Sequence, residues 1–179
     1  TFFTKEGVYL SLSSGRKSDA SGELPVVGDQ LNPKFQNLKS EPQTLNSEII
    51  KLIPLNANKN PKIIAEGKQE GKVNYFNGSD KSKWKTNIST YSAVLYKEVY
   101  KGIDIKYYGN NQQLEYDIIV KPGANPNKVQ FSYKGIERLK VTEEGNLEIA
   151  LKEGNIIQKK PYIYQDINGK RVEVDGKFK

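Results

Sequence analysis

Acidic side chains gather in one segment of the sequence, IDIKYYGNNQQLEYDIIV, which spans residues 103–120. Glu115 and Asp117 are two residues apart, so on a β-strand they point to the same face with their backbones about 7 Å apart. Asp104 would approach them if the segment folds back on itself. Such a cluster can bind a hard cation such as Ca²⁺ through oxygen ligands, or supply paired acids for glycoside hydrolysis. A solvated sheet face is the interpretation we favour, because no calcium-loop pattern is present.

The alternation of apolar and polar residues in this segment predicts a β-hairpin and the face that each side chain occupies. A loop over residues 109–112 would place Lys106 opposite Glu115 and Asp104 opposite Asp117. The apolar side chains then share one face. The polar face would carry Asp104, Lys106, Tyr108, Gln113, Glu115 and Asp117.

The single tryptophan, Trp84, lies in a polar stretch, GSDKSKW, and Tyr91 follows it along the chain. An exposed aromatic ring is a common stacking platform for sugars, whereas a lone Trp is more often a core anchor whose N–H finds a partner. We favour the anchor and keep the platform as a hypothesis. The hypothetical ligand-binding set is therefore Trp84, Tyr91, Asp104, Tyr108, Glu115 and Asp117.

The sequence contains no cysteine and no histidine. A structural zinc site needs Cys or His ligands and a disulfide framework needs Cys pairs, so neither can form. Ser-His-Asp and Cys-His catalysis are excluded as well, and so is an imidazole base near neutral pH. Carboxylate, lysine, tyrosine and hydroxyl chemistry remain. We predict that the protein is not an enzyme and has no catalytic residue, metal ligand or cofactor.

The chain is basic, with a formal net charge of +7 and a pI near 9.3. The basic residues are mostly scattered singly, and the arginines are Arg16, Arg138 and Arg171. Recognition of a nucleic-acid backbone usually clusters Arg and Lys on one face, so we predict a solvated lysine-rich surface and no nucleic-acid partner. No apolar run approaches the roughly 20 residues that span a bilayer, so we predict no membrane insertion.

Short segments rich in Ile, Val, Tyr and Phe recur along the chain and are separated by Gly, Asn, Pro or Asp clusters. This pattern is typical of strands joined by turns, so we predict an all-β fold in one domain over residues 1–179. Residues 13–46 hold few large apolar side chains, and we predict a long polar loop or irregular excursion there. The predicted strands lie at 8–12, 47–54, 62–66, 72–76, 92–97, 103–108, 114–120, 128–133, 137–142, 146–151, 155–158, 162–166 and 171–178.

Three motifs carry a resemblance to a known family: NYFNGSDKSKW at 74–84, TNISTYSAVLYKEVYKGIDIKYYGNNQQLEYDIIVKPGANP at 86–126 and KKPYIYQDINGKRVEVDGKF at 159–178. In order and spacing they resemble the N-terminal domain found ahead of SBBP-type bacterial β-propeller repeats. The resemblance implies a mostly antiparallel, β-sandwich-like module of large secreted or surface-attached prokaryotic proteins, without an established catalytic role. The sequence departs from the family motif at Lys101 and Asn125, where Pro and Asp are usual, and the missing acid weakens any metal site there.

The expected function is therefore that of a non-catalytic extracellular or cell-surface structural module, acting in assembly, for example as a filament subunit, or in adhesion. The chain opens inside what looks like a first hairpin and stops where another strand would be expected. An unpaired edge invites strand addition, so the expected partners are other protein subunits or tandem extracellular domains. A carbohydrate-binding module that recognises surface glycans is the second expectation, and a carboxylate-dependent glycosidase is the third.

Overall fold

The computed structural model of the chain describes residues 1–13, 47–110 and 113–179. Strands make up nearly all of its regular structure, with short 3-10 turns at Lys81–Lys83 and Pro126–Lys128. The strands are β1 (Phe2–Thr4), β2 (Gly7–Ser13), β3 (Ser47–Pro54), β4 (Lys62–Tyr75), β5 (Lys85–Tyr100), β6 (Ile103–Asn110), β7 (Gln113–Val120), β8 (Phe131–Lys134), β9 (Arg138–Val141), β10 (Leu147–Leu151), β11 (Gly154–Gln158), β12 (Tyr164–Ile167) and β13 (Lys170–Glu173). Their antiparallel pairing confirms the predicted all-β, sandwich-like fold. None of the helices described is long and apolar enough to cross a membrane.

The chain divides into two compact units, Thr1–Ser132 and Tyr133–Lys179. In the first unit, one sheet has the strand order β1-β2-β3-β8 and the other β4-β5-β6-β7, and β8 runs across the boundary between the units. In the second unit, β9, β10 and β11 form one sheet, and β12 pairs with β13. The single domain over residues 1–179 stays a prediction. The predicted excursion covers residues 13–46, and all of it after residue 13 lies outside the described residues.

The two sheets of the first unit are held together by side chains that alternate along the strands. Val8 and Ile50 are fully buried on one sheet, and Ile103 and Ile105 are fully buried on the other. Residues two apart on a strand point to the same face, so the period of two in the sequence becomes an apolar layer. Burying each such side chain stabilises the fold by about 1.5–3 kcal/mol.

Tyr107 is the centre of an aromatic cluster between these sheets. Its ring centroid lies 5.6 Å from those of Phe3 and Tyr96 and 5.7 Å from that of Tyr116. Tyr116 in turn contacts Phe131 at 5.7 Å. Such ring pairs contribute about 0.5–1.5 kcal/mol each beyond the area they bury. Because Phe3 and Phe131 belong to one sheet and the three tyrosines to the other, the cluster joins the two layers.

The predicted register of the β6–β7 hairpin is wrong by two residues. The structure pairs Lys106 with Asp117 rather than Glu115, and Asp104 with Ile119 rather than Asp117. The pairing continues until two residues remain between the strands, a connection length common in hairpins. Side chains alternate with a period of two, so this shift keeps each one on its predicted face and changes only its cross-strand neighbour.

β4 and β5 form a long hairpin, in which the predicted strands 62–66 and 72–76 are parts of one strand. The register shifts between Lys68 and Lys72, where extra residues bulge out of β4. β6 pairs with β5 only over the part of β5 that follows Ala93 in sequence. Before Ala93, β5 pairs with β4 and has no third partner among the described strands. We call this two-stranded part, residues 68–91, the ribbon.

The second unit has a small core. Leu147 and Ile149 on β10 are its only buried apolar side chains within the part of the chain that the structure describes. Elsewhere this unit exposes apolar side chains, both on its other strands and in the segments beside them: Leu139, Val141, Ile157, Tyr162, Ile163, Tyr164, Ile167, Val172 and Val174. A two-stranded sheet such as β12–β13 is marginally stable alone in water, so this surface is available for further contacts.

Candidate functional site

The structure separates the three carboxylates that the sequence analysis brought together. Asp104 is buried, and its carboxylate accepts a hydrogen bond from the backbone N–H of Glu98 at 2.7 Å. The ammonium group of Lys121 lies 3.5 Å from the same carboxylate. Glu115 and Asp117 lie further along the hairpin and do not pair with Asp104. Asp104 therefore has a structural role at the end of β5.

Glu98, beside Asp104, has a positive backbone φ of 53°, which is uncommon for a residue other than glycine. Its carboxylate accepts a hydrogen bond from the backbone N–H of Gly102 at 3.0 Å and pairs with the ammonium group of Lys121. The hydrogen bonds from Lys121 and then from Gly102 lower the pKa of Glu98, and the same ion pair raises the pKa of Lys121. These contacts brace the turn between β5 and β6.

The other polar side chains of the β6–β7 hairpin have partners on their own face. The hydroxyl of Tyr108 donates to Asp117 at 3.0 Å, and the amide of Asn110 donates to Glu115 at 2.8 Å. Burial, together with the hydrogen bond to Asp117, raises the pKa of Tyr108 to about 12. Within the described ranges, no three acidic side chains lie close enough to hold a metal ion. Each acid of this hairpin already has a hydrogen-bond donor from the protein.

Trp84 lies at the end of the ribbon, beside two further aromatic residues. Its ring contacts Phe76 edge to face, with the centroids 5.0 Å apart. Trp84 is half-buried, and its indole N–H donates to the carbonyl of Gly78 at 3.0 Å. Phe76 is 62% exposed and Tyr75 is 42% exposed. We call Tyr75, Phe76 and Trp84 the aromatic tip, in which Trp84 is the anchor and Phe76 the most exposed ring.

Short polar contacts fix the turn that carries the aromatic tip. Asp80 accepts hydrogen bonds from the hydroxyl of Ser82 at 2.7 Å and from its backbone N–H at 3.0 Å, and these bonds lower the pKa of Asp80. The ammonium group of Lys81 lies 5.8 Å from the centroid of the Trp84 ring. Residues 72–87 contain four lysines and one aspartate. The tip thus combines exposed aromatic surface with positive charge.

The rest of the predicted ligand-binding set lies away from the aromatic tip. Tyr91 is half-buried on β5, opposite Lys68. The strand between Trp84 and Tyr91 spans about 20 Å at the usual rise per residue. Tyr108 lies opposite Ala93, further still along β5. Asp104, Tyr108, Glu115 and Asp117 all lie on β6 or β7. The structure therefore does not bring the six predicted residues into one site.

Three loops at one end of the first unit border an open cleft of about 690 Å³, which the sequence analysis missed. We call it the loop cleft. It is lined by residues 56–58, which follow β3, by 99–102 around the β5–β6 turn, and by 122–125 together with Lys128 after β7. A second cleft of about 500 Å³ shares several of these residues and adjoins it.

Hydrogen bonds between the loops hold the loop cleft in shape. The hydroxyl of Tyr100 lies 2.9 Å from the carbonyl oxygens of both Leu55 and Gln130, so it ties the first loop to the third. The backbone N–H of Asn58 donates to the carbonyl of Val99 at 2.8 Å, which ties the first loop to the second. The cleft is therefore formed before any ligand arrives.

The sequence contains local turn signals for these loops, but it contains no signal that the loops lie close together in space. The runs NANKN at 56–60 and PGANP at 122–126 are typical of turns. That both loops lie beside the β5–β6 turn follows from the strand order, which no local pattern gives. Lys101 and Asn125, the two departures from the family motif, both line the cleft.

Neither the curated proteins nor the solved structures include a match to this chain. A family model does match, and its description is a domain of unknown function, DUF7948. The match extends over residues 1–179, which is the whole sequence and includes the aromatic tip, the loop cleft and both compact units. The chain therefore belongs to the DUF7948 family.

Proposed function

We propose that this chain is a non-catalytic structural module of the extracellular space or cell surface, and that it acts in assembly or adhesion. The observation that carries the proposal is the apolar surface on the strands of the second unit. Ile167 is 49% exposed and Val172 is 45% exposed, and both lie on one face of the β12–β13 sheet. Exposed apolar side chains that share a face are typical of contact surfaces. The extracellular location rests on the resemblance to the SBBP-associated domain.

The two faces of the β12–β13 sheet differ in a way that supports this proposal. On one face, the guanidinium group of Arg171 lies 4.5 Å from the centroid of the Tyr164 ring and 4.0 Å from Asp166. That face is occupied by contacts within the hairpin. The other face presents Ile167 and Val172 together with Gln165 and Lys170, and each strand of the pair has one described neighbour. A strand from a partner can therefore add to a free edge, and its own apolar side chains would then continue the surface that Ile167 and Val172 begin.

The non-catalytic part of the proposal is supported by the contacts of the acidic side chains. The carboxylate of Asp104 accepts a hydrogen bond from the backbone N–H of Glu98, and that of Asp117 accepts one from the hydroxyl of Tyr108. Paired acids for glycoside hydrolysis must face the scissile bond from two sides about 5–9.5 Å apart. These carboxylates instead face donors from the protein, which is the arrangement of a structural network.

Assembly can be tested by light scattering coupled to size-exclusion chromatography over a range of protein concentrations, with negative-stain imaging of the same fractions. We expect a concentration-dependent rise in mass, because burial of the β12–β13 face is an intermolecular event. Regular particles or filaments in the images would identify the form of the assembly. A constant monomer mass at all concentrations would contradict self-assembly.

A substitution pair tests whether the proposed face is responsible. Val172→Lys places a second ammonium group on this face, two residues from Lys170, and we expect the assembled fraction to fall at least tenfold, since burying an unpaired ammonium group is costly. Asn60→Lys, in an exposed loop of the first unit, adds the same charge elsewhere and serves as the control. Equal behaviour of the two variants would show that net charge, and not this face, controls assembly.

A carbohydrate-binding function is the second candidate, and the exposed aromatic tip favours it. Sugar rings stack on flat apolar surfaces, and Phe76 presents such a surface next to Trp84. We expect saturable quenching of Trp84 fluorescence by one class of glycan, and its loss in Phe76→Ala. Phe2→Ala is the matched control, because Phe2 is 65% exposed but lies on β1. Quenching that survives Phe76→Ala would contradict this candidate.

A further inference from the structure

The loop cleft carries positive charge that the protein does not neutralise. Lys101 and Lys128 both line it, and no acidic residue does. The side-chain ammonium group of neither lysine has a hydrogen-bond or ion-pair partner in residues 1–13, 47–110 and 113–179. Lys121, by contrast, is paired with Glu98 and Asp104. Two unpaired ammonium groups on one cleft attract an anion.

The remaining walls of the loop cleft suit a sugar ring better than a bare ion. Val99, Pro122 and Ala124 contribute apolar surface, which can contact the C–H face of a ring. Asn56 contributes an amide, which can both donate to and accept from hydroxyl groups. A volume of about 690 Å³ is far larger than an inorganic anion needs, and small-molecule sites typically have about 300–1,000 Å³.

Contacts between the three loops hold the walls of the loop cleft together. Tyr100, at its floor, is buried and tied to the loops on both sides. Gly102 has a φ of +74°, and a Cβ atom there would lie 2.9 Å from the Cβ of Ala124. The β5–β6 turn therefore packs closely against the loop after β7. A preformed cleft loses little conformational entropy on binding, which favours affinity for small ligands.

We propose that the loop cleft binds an anionic sugar, with Lys101 and Lys128 holding its carboxylate or phosphate group. The sugar ring lies against the apolar wall, and the amide of Asn56 bonds its hydroxyl groups. This site shares no residue with the β12–β13 face or with the aromatic tip. Its existence therefore does not depend on assembly or on sugar stacking at the tip.

The test is a titration of the full chain followed by the backbone amide NMR signals of Gly102 and Gly123. The probes are trigalacturonate, mannose 6-phosphate and neutral galactotriose, so that carboxylate, phosphate and uncharged sugars are compared. We expect saturable shifts with one or both acidic sugars and at least tenfold weaker binding of the neutral one. The acidic sugar that binds more tightly identifies the anionic group that the cleft prefers.

Variants then show whether the two lysines are responsible. Lys101→Gln and Lys128→Gln are each expected to weaken binding about tenfold, the loss expected for one charge-assisted hydrogen bond. Lys128→Arg keeps the charge and should retain most of the affinity. Lys68→Gln, on the ribbon, removes an exposed lysine outside the cleft and should bind normally. Thermal unfolding of each variant separates a binding defect from a folding defect.

Three outcomes would overturn the proposal. One is the absence of saturable shifts at Gly102 and Gly123 with both acidic sugars. Another is equal affinity for the neutral sugar, which would show that the cations are not used. The third is an equal loss in Lys68→Gln, which would show a general attraction of anions to the basic chain.

Discussion

The two compact units of the chain differ in the size of their buried apolar cores. Among the residues that the structure describes, eleven buried apolar residues lie in Thr1–Ser132, where two four-stranded sheets cover each other, and two lie in Tyr133–Lys179. A unit as short as the second has too little volume for a large core. The first unit also exposes large apolar side chains, such as Ile49 and Phe76, but it has an extensive buried layer that the second unit nearly lacks. The comparison suggests that the first unit supplies stability and the second supplies contact surface.

The largest contrast is expected between two tyrosines, one in each unit. Tyr107→Ala removes a buried ring and its contacts with Phe3, Tyr96 and Tyr116, so we expect the free energy of unfolding to fall by about 3–5 kcal/mol. Tyr162 is 63% exposed, and Tyr162→Ala should change the free energy of unfolding by about 0.5 kcal/mol or less. Urea unfolding followed by circular dichroism measures both. Similar losses of unfolding free energy in the two variants would contradict the claim that the first unit supplies the stability.

A smaller contrast is expected between two aspartates. Asp104→Ala leaves the backbone N–H of Glu98 without its acceptor, and we expect a loss of about 2 kcal/mol of unfolding free energy. Asp166→Ala, in the second unit, removes an exposed ion pair and should cost about 0.5 kcal/mol or less. Asp104→Asn keeps an acceptor oxygen and should lose less than Asp104→Ala. If Asp166→Ala costs as much as Asp104→Ala, burial is not the cause.

The smallest effect concerns the pH dependence of stability. The pKa of Glu98 is lowered in the folded chain, so its contribution is present above its ordinary value of 4.5 and is lost as pH falls through the folded value. The difference in Tm between the natural chain and Glu98→Gln should therefore be present at pH 7 and shrink as the pH falls well below 4.5. A difference that grows on acidification would reverse the sign and contradict the assigned ion pair with Lys121.

The alternation of residue types predicted most of the fold, because it reports directly on which face of a strand is buried. The all-β class is confirmed, as are the faces of the hairpin around Tyr107. The hairpin register is wrong by two residues, because alternation with a period of two cannot distinguish shifts of two. The short strand Phe2–Thr4 was missed, since three residues are too few to show a period.

The candidate sites were less predictable, because they depend on residues that are distant in sequence. Trp84 stands out by its rarity, but its exposed neighbour Phe76 is distinguished only once the turn of the ribbon is seen. Asp104 seemed to belong with Glu115 and Asp117 on a polar face, whereas it is buried beside Lys121. The loop cleft joins three loops through the strand order, and no single segment contains its pattern.

Hydrogen–deuterium exchange at low and high protein concentration tests the division between the two units most directly. If the second unit supplies the contact surface, amides in Tyr164–Ile167 and Lys170–Glu173 should gain protection as the concentration rises. Amides in the core strand Ile103–Asn110 should exchange at the same rate at both concentrations. Unchanged exchange in β12 and β13 while oligomers form, or new protection confined to the first unit, would contradict the account.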